Sequence, residues 1–163
     1  MNIEILTEPI VSKIVEINEV KLEVFSDGRV YRFKKNGDLK LIKNINNNGV
    51  GYNQIRCNNK LFLRHRIIAY TFLNLDINDL LKPVDHIDGN RLNNCLKNLR
   101  IVTSAQNSWN RLNVKGCCFD KSCNKWRAYI NLNNKVKNLG YFNIEQEARD
   151  AYLKAKDIYH IIQ

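Results

Sequence analysis

No run of this chain is apolar for long enough to cross a bilayer, and the start, Met-Asn-Ile-Glu-Ile, lacks the charged-then-apolar form of a secretory leader. A membrane protein or a secreted one is therefore not expected. Cysteine is present only as an odd set of five: Cys57, Cys95, Cys117, Cys118 and Cys123. There is no Cys-x-x-Cys pair, so neither a disulfide framework nor a zinc site is expected. Free thiols in a reducing compartment, cytoplasmic or nuclear, are the expectation. Acidic side chains are scarce in one region above all. Residues 111–140 hold seven cations, Arg111, Lys115, Lys121, Lys125, Arg127, Lys135 and Lys137, against Asp120 alone.

The residues that are plentiful fit a nucleic-acid partner. The formal net charge is +10 and the isoelectric point about 9.5, which points to an acidic ligand. The charge is uneven, because residues 1–28 carry six carboxylates against Lys13 and Lys21. With 163 residues, 44% of them hydrophobic, the chain can build one ordinary domain or two or three small modules. Asparagine is frequent throughout, as coding from an A/T-rich genome produces.

The first sixty residues read as a β module. Residues 1–20 alternate weakly, as a strand or a loose arm. Val24–Phe33 is a hairpin around Asp27-Gly28, and Asn36-Gly37 offers a second tight turn. Gly51–Cys57 and Lys60–Leu63 form another hairpin across Asn58-Asn59. Such a module serves as a platform for the downstream residues or touches DNA itself. Arg64–Phe72 has Ile68, Ala69 and Phe72 at helical spacing. Its packing side faces a core, with Arg64 and Arg66 free to reach phosphate and His65 structural or phosphate-contacting. Pro83 ends the next loop and imposes an extended approach to Asp85.

The densest chemistry lies between Val84 and Arg111. Asp85-His86 closes a short apolar strand, and Asp88-Gly89 makes a turn that tolerates positive φ. Leu99–Val102 is a second β-type run. Thr103 with Gln106 has the capping-box pattern of a helix start. His86, Asn98 and Asn107 are separated by eleven and eight residues. This strand-loop-strand-helix series, with the words Asp-His-Ile-Asp-Gly-Asn, Asn-Leu-Arg and Gln-Asn, resembles the HNH endonucleases, especially phage and homing-type members. The resemblance implies a ββα-metal unit over 61–112. It makes Asp85 and Asn107 ligands of one divalent metal, His86 the general base and Asn98 the support of loop and base. Asparagine in the third position favours Mg²⁺ or another hard cation such as Mn²⁺ over zinc.

Downstream, Gly116–Phe119, Trp126–Leu132 and Lys135–Leu139 read as strands, with a turn at Asn133-Asn134. Asn143 with Gln146 signals a helix carrying Ala148, Ala151, Tyr152, Ala155 and Tyr159 on one side. The order Lys-Trp-Arg-Ala-Tyr-Ile, Leu-Gly-Tyr-Phe and Glu-Ala-Arg-Asp-Ala-Tyr resembles the AP2 DNA-binding domain over 113–163. That likeness implies a sheet laid in a DNA groove, with Lys121, Lys125, Arg127, Tyr129, Lys135 and Lys137 as contacts. Arg111 and Lys115 add to the same basic region. The expected fold is thus α+β in three parts: residues 1–60, a β-hairpin module; residues 61–112, the nuclease unit; residues 113–163, a three-stranded sheet on one helix. The expected function is metal-dependent hydrolysis of duplex DNA, by a monomer that nicks or a homodimer that breaks both strands. Such a gene belongs to a phage, a large DNA virus or a mobile element. A DNA-binding regulator with an inactive nuclease unit is the rival reading.

Overall fold

The structure is a computed structural model that describes residues 9–43, 51–110, 114–132 and 135–161. It is a mixed α and β fold of several small sheets and few helices, divided into two compact units, Met1–Thr103 and Ser104–Gln163. Among the described residues no helix is long and apolar enough to cross a membrane.

The first unit opens with an antiparallel meander of β1 (Ser12–Ile17), β2 (Val20–Phe25), β3 (Val30–Phe33) and β4 (Leu39–Leu41). Strand β2 alternates strictly, so Val20, Leu22 and Val24 face inward and Lys21 faces solvent. The turn from β2 to β3 passes through Gly28 at φ +91°. A Cβ there would sit 2.8 Å from the carbonyl oxygen of Asn94 and 2.9 Å from its carbon, so any side chain is excluded twice, by φ and by space.

The hairpin of β5 (Gln54–Cys57) and β6 (Lys60–Leu63) turns at Asn58-Asn59, with Asn58 in the left-handed region. Asn58 donates to Asn18 O and Asn18 donates to Cys57 O, both at 2.8 Å, which ties this turn to that of β1–β2. Helix α1 (Arg64–Phe72) comes next without a break. It has no side-chain cap, but the Arg64 N–H reaches Asn53 O at 2.8 Å, so one exposed donor of the first turn is satisfied by backbone. Ile67, Ile68 and Ala69 are fully buried. The core they enter takes in Leu22, Val24 and Val30 from the meander, Ile55 and Phe62 from the hairpin, and Val84 and Leu99 beyond the helix. One apolar core therefore runs across residue 60. Strands β7 (Val84–His86) and β8 (Leu99–Ile101) pair antiparallel, Asp85 opposite Arg100 and His86 opposite Leu99.

The second unit begins with the short helix α2 (Ser104–Trp109), whose Trp109 ring stacks on His160 at 4.6 Å and 4°. Beyond it lies a three-stranded antiparallel sheet, β9 (Cys117–Asp120), β10 (Lys125–Leu132) and β11 (Lys135–Phe142), with β10 in the centre. Helix α3 (Glu145–Tyr159) lays Ala148, Tyr152 and Ala155 against Cys117, Ala128, Ile130 and Leu139. The expected Asn143 cap is absent. The helix starts from Ile144 with no side-chain cap, Gln146 reaches Asp150 instead, and Glu145 and Glu147 supply the negative charge that suits a helix N-terminus. The turn at Asn133-Asn134 lies outside the described residues.

Candidate active site

The residues singled out between 84 and 98 meet at one end of the β7–β8 pair. Asp85 and His86 are buried, at 7% and 4% exposure. The Asp85 carboxylate is gripped by its cross-strand neighbour: Arg100 Nε and Nη2 donate to Oδ2 at 2.9 and 2.8 Å. Antiparallel pairing places these side chains opposite one another, and a fork-shaped guanidinium holds a carboxylate in a fixed orientation.

The loop from His86 to Asn98 is built from asparagine and aspartate turns. Asp88 and Asn90 each accept the backbone N–H two residues on, at 2.8 and 3.1 Å. Asn98 closes the loop. Its Oδ1 accepts the Asp88 N–H at 3.0 Å, and its Nδ2 donates to Asp88 Oδ1 and to Asn93 O at 2.9 and 2.8 Å. Hydrogen bonds hold the Asp88 carboxyl below the usual carboxylate range, with that from Asn93 the largest contributor. Asn98 thus supports the loop, as its expected role requires, but its amide is not the one beside the base. That is Asn94, whose Oδ1 lies 3.4 Å from His86 Nε2 while its Nδ2 donates to Leu92 O at 3.0 Å.

The imidazole of His86 is enclosed by rings. His65 meets it edge-on at 5.0 Å and Tyr52 at 6.1 Å, and Tyr52 also packs on His65 at 5.1 Å. Arg91 stacks over Tyr52 at 4.8 Å. Burial lowers the pKa of His86, more than the Asn94 contact and the nearby Asp88 and Asp85 raise it. Its ring is thus neutral, and able to accept a proton, at physiological pH. His65 is lowered further, to about 3, by burial first and then by His86 and Arg66. Its Nδ1 is buried with no hydrogen-bond partner among the described residues. His65 is therefore a neutral wall of the site.

This wall makes the fold sensitive to acid. A folded-state pKa below the unfolded value of about 6.5 means that the unfolded chain binds the extra proton, so stability falls as pH drops from there toward 3. The shift corresponds to a loss on the order of 5 kcal/mol once the window has been crossed. Equilibrium denaturation between pH 7 and pH 4 is expected to show this acid lability, and His65→Phe to reduce it. Equal acid sensitivity in both proteins would place the lability elsewhere.

Two of the expected phosphate contacts, Arg64 and Arg66, lie inside the unit, which corrects their expected role. Arg64 is 2% exposed, and its guanidinium donates to Gly28 O, Ile42 O and Lys43 O at 3.1, 2.8 and 3.4 Å. Arg66, 8% exposed, donates to the carbonyls of Lys82 and Asp79. Both tie the helix to loops. Exposed Lys40, Lys43 and Arg56, with the half-buried Arg32, line a groove of about 690 Å³ between β3–β4 and β5–β6, over Leu41, Ile42 and Leu61.

In the second unit Asn107 lies on α2, and Arg111 falls outside the described residues. On β10, Arg127 and Tyr129 share the face away from α3, whereas Trp126, Ala128 and Ile130 pack toward the helix. A bulge between Ala128 and Tyr129 shifts the register of β11. On the turn side of that bulge Lys137 stands opposite Ile130, on the helix side, where it caps Tyr159: Nζ donates to the hydroxyl at 2.6 Å and sits 4.3 Å over the ring. Lys135, opposite Leu132, shares that side. Lys115 pairs with Glu145 at 3.4 Å, and Lys121 and Lys125 are exposed at the other end of the sheet.

Sequence reasoning missed Asn94, Arg100 and Tyr52. Arg100 had a signal, since it stands across the strand pair from Asp85. Asn94 is one asparagine among many, and nothing in the sequence sets it apart.

Known proteins resemble parts of this chain. The sequence profile of the HNH endonuclease family matches residues 81–109. Protein 3.8 of Escherichia phage T7 is 37% identical over 62 residues, 34% of this chain and 51% of that protein. The SPbeta prophage-derived protein YosQ of Bacillus subtilis, named as a putative HNH homing endonuclease, is 37% identical over 67 residues, 40% of this chain and 36% of its own length. The chain thus spans about half or less of these relatives. A solved structure of the HNH homing endonuclease I-HmuI, on its DNA binding and cleavage, is similar with a TM-score of 0.48 and 32% identity, covering 63% of this chain and 62% of that one. The segment that carries Asp85, His86, Asn98 and Asn107 is thus the one that matches the HNH endonuclease profile.

Proposed function

We propose that the protein is a metal-dependent DNA endonuclease that hydrolyses phosphodiester bonds, nicking one strand per active site. The observation that carries this is the neutral, ring-enclosed His86 beside a buried Asp85, on the strand pair that the family profile covers. His86 takes the proton from the attacking water. General-base catalysis of this kind contributes about 10²–10⁴-fold. Arg100 keeps the Asp85 carboxylate oriented, and Asn98 keeps the loop from spreading. Arg91, exposed in that loop and stacked on Tyr52, is placed to meet a phosphate.

Asp85 and Asn107 are the proposed ligands of a divalent cation, and a carboxylate and an amide oxygen are both hard donors. Such a set suits Mg²⁺ or Mn²⁺, which retain several waters, rather than a closed zinc centre. When bound, the ion supplies Lewis-acid stabilisation of the charge on phosphoryl oxygens. Asp85→Ala is expected to abolish cleavage, and Asn107→Asp to retain it, since one oxygen ligand replaces another. Incubation with supercoiled plasmid, with Mg²⁺ and then with chelator, checks the whole reading. Nicking that survives chelation would remove the metal from it, and no nicking at all would favour a DNA-binding protein with an inactive nuclease unit.

Duplex DNA as the partner is supported by the net charge, the basic groove of the first unit and the cations of the second. The three-stranded sheet is read as AP2-like, with Arg127, Tyr129 and Lys125 on its open face and Lys121 at its end. Removing one phosphate contact flattens the log-log salt dependence of binding by about 0.9. Arg127→Ala is expected to reduce that slope. Tyr129→Ala checked on several target sequences separates base reading from backbone grip: a base reader changes which site is cut, a backbone contact weakens all sites alike. The phage and prophage relatives support an origin in a phage or mobile element.

A further inference from the structure

We infer that Arg127 and Asn138 form a base-reading pair: Asn138 steers the guanidinium so that its fork meets a guanine edge in the major groove of duplex DNA. This rests on the reading of the second unit's sheet as a DNA-binding surface, and names what that surface recognises.

The pair is made at the bulge. Ala128 stands opposite Gly140 and Tyr129 opposite Asn138, so Leu139 is one residue more than β10 matches. Leu139 packs against both apolar clusters beneath α3. Gly140 takes φ +130°, a conformation that residues with a side chain rarely adopt. A bulge of this kind re-aims a neighbouring side chain. Here Asn138 shares the face of Arg127 and Tyr129, and its Oδ1 accepts from Arg127 Nε and from the Gly140 N–H, each at 3.4 Å. Two donors from different strands thus hold that oxygen.

The consequence for Arg127 is directional. With Nε engaged, the donors left over are those of the two Nη atoms, which have no partner among the described residues. A planar fork of two N–H groups matches O6 and N7 of guanine, the commonest specific contact of arginine with DNA. The surroundings suit recognition better than grip. Across the open face the pairs are Lys125 with Asp120, Arg127 with Tyr141, and Tyr129 with Asn138. Among these six side chains Arg127 is the one cation without a carboxylate opposite it. Lys135 stands on the helix side, and Lys137 there is bound to Tyr159. Gripping a phosphate backbone takes a row of cations. This face sets one arginine among side chains that donate and accept hydrogen bonds.

Selection of bound duplexes from a randomised library by the full-length protein, with chelator present so that nothing is cut, tests the inference. The recovered sites are expected to share one guanine, and other bases there to bind about 5–150 times more weakly, the worth of one bidentate contact. Arg127→Ala and Asn138→Ala should each lose the preference at that position alone. Asn138→Ala removes no charge, so its salt slope should match the parent's, whereas Arg127→Ala flattens the slope in any case. Asn138→Asp keeps an acceptor for Nε and should keep the guanine. 7-Deazaguanine at the shared position, which lacks the N7 acceptor, should weaken binding of the unaltered protein, and that measurement needs no variant to fold. Equal affinity for the 7-deaza duplex, or an Asn138→Ala protein with the parent's preference, overturns the inference. Recovered sites with no shared guanine overturn it too, while leaving DNA binding by the sheet in place. A wild type that binds no duplex removes both readings.

Discussion

His86→Ala is expected to cut DNA about 10²–10⁴ times more slowly than the parent while binding it equally well. The ring is 4% exposed and bounded by His65 and Tyr52, so alanine leaves a small void behind those walls and alters no surface that meets a phosphate. The loss therefore falls on the chemical step. Only an interaction confined to the transition state lowers kcat and kcat/KM together, and proton abstraction from water is one. Single-turnover cleavage of a labelled duplex, read beside a binding isotherm at the same salt, separates the two quantities. Weaker binding with an unchanged cleavage rate would make His86 a DNA contact rather than the base.

Arg64→Ala is expected to destabilise the first unit by about 3–5 kcal/mol, since buried carbonyls left without a donor cost about 1–3 kcal/mol each. The guanidinium is almost fully buried, among the described residues no carboxylate pairs with it, and burial lowers its pKa. Backbone solvates the cation in place of water: the carbonyls of Gly28, Ile42 and Lys43. Alanine leaves these acceptors unpaired and enlarges the adjoining cavity of about 230 Å³. Lysine is not a conservative replacement, because a single ammonium does not reproduce a planar fork spanning two segments. Urea unfolding followed by circular dichroism measures the effect. A midpoint within experimental error of the parent would mean that the carbonyls find water once the side chain is gone.

Much of this arrangement is legible in the sequence because the signals are local. The β2–β3 and β5–β6 hairpins, helix α1, the β7–β8 pair and the three C-terminal strands come from alternation, turn residues and helical spacing, all within a few positions. Asp85 and His86 are legible as a pair for the same reason. The features that escape a sequence reading depend on contacts between distant segments. Arg64 reads as exposed because charged residues usually are, and it is buried only because carbonyls 36 and 22 residues earlier meet it. Lys137 reads as a sheet contact because it is basic, but its pairing with Ile130 puts it on the helix side, where the Tyr159 hydroxyl takes its ammonium. Asn94 has no distinguishing neighbours; its partner is chosen by the fold of its loop.

The contact between the tip of the β2–β3 hairpin and residues 94–96 bears on how such a chain can be recombined. A chimera that replaced the first sixty residues with another β module would remove Gly28 and Ser26, and with them the seat of Asn94. It would also strip Arg64 of its carbonyls. Grafts at that point should give insoluble or inert protein even when both parents are active. Exchange after Thr103 cuts between compact units instead, but it carries Asn107 away with the second unit, so the incoming unit must supply an asparagine or aspartate at that position. Libraries built there should yield folded members more often than libraries built at residue 60.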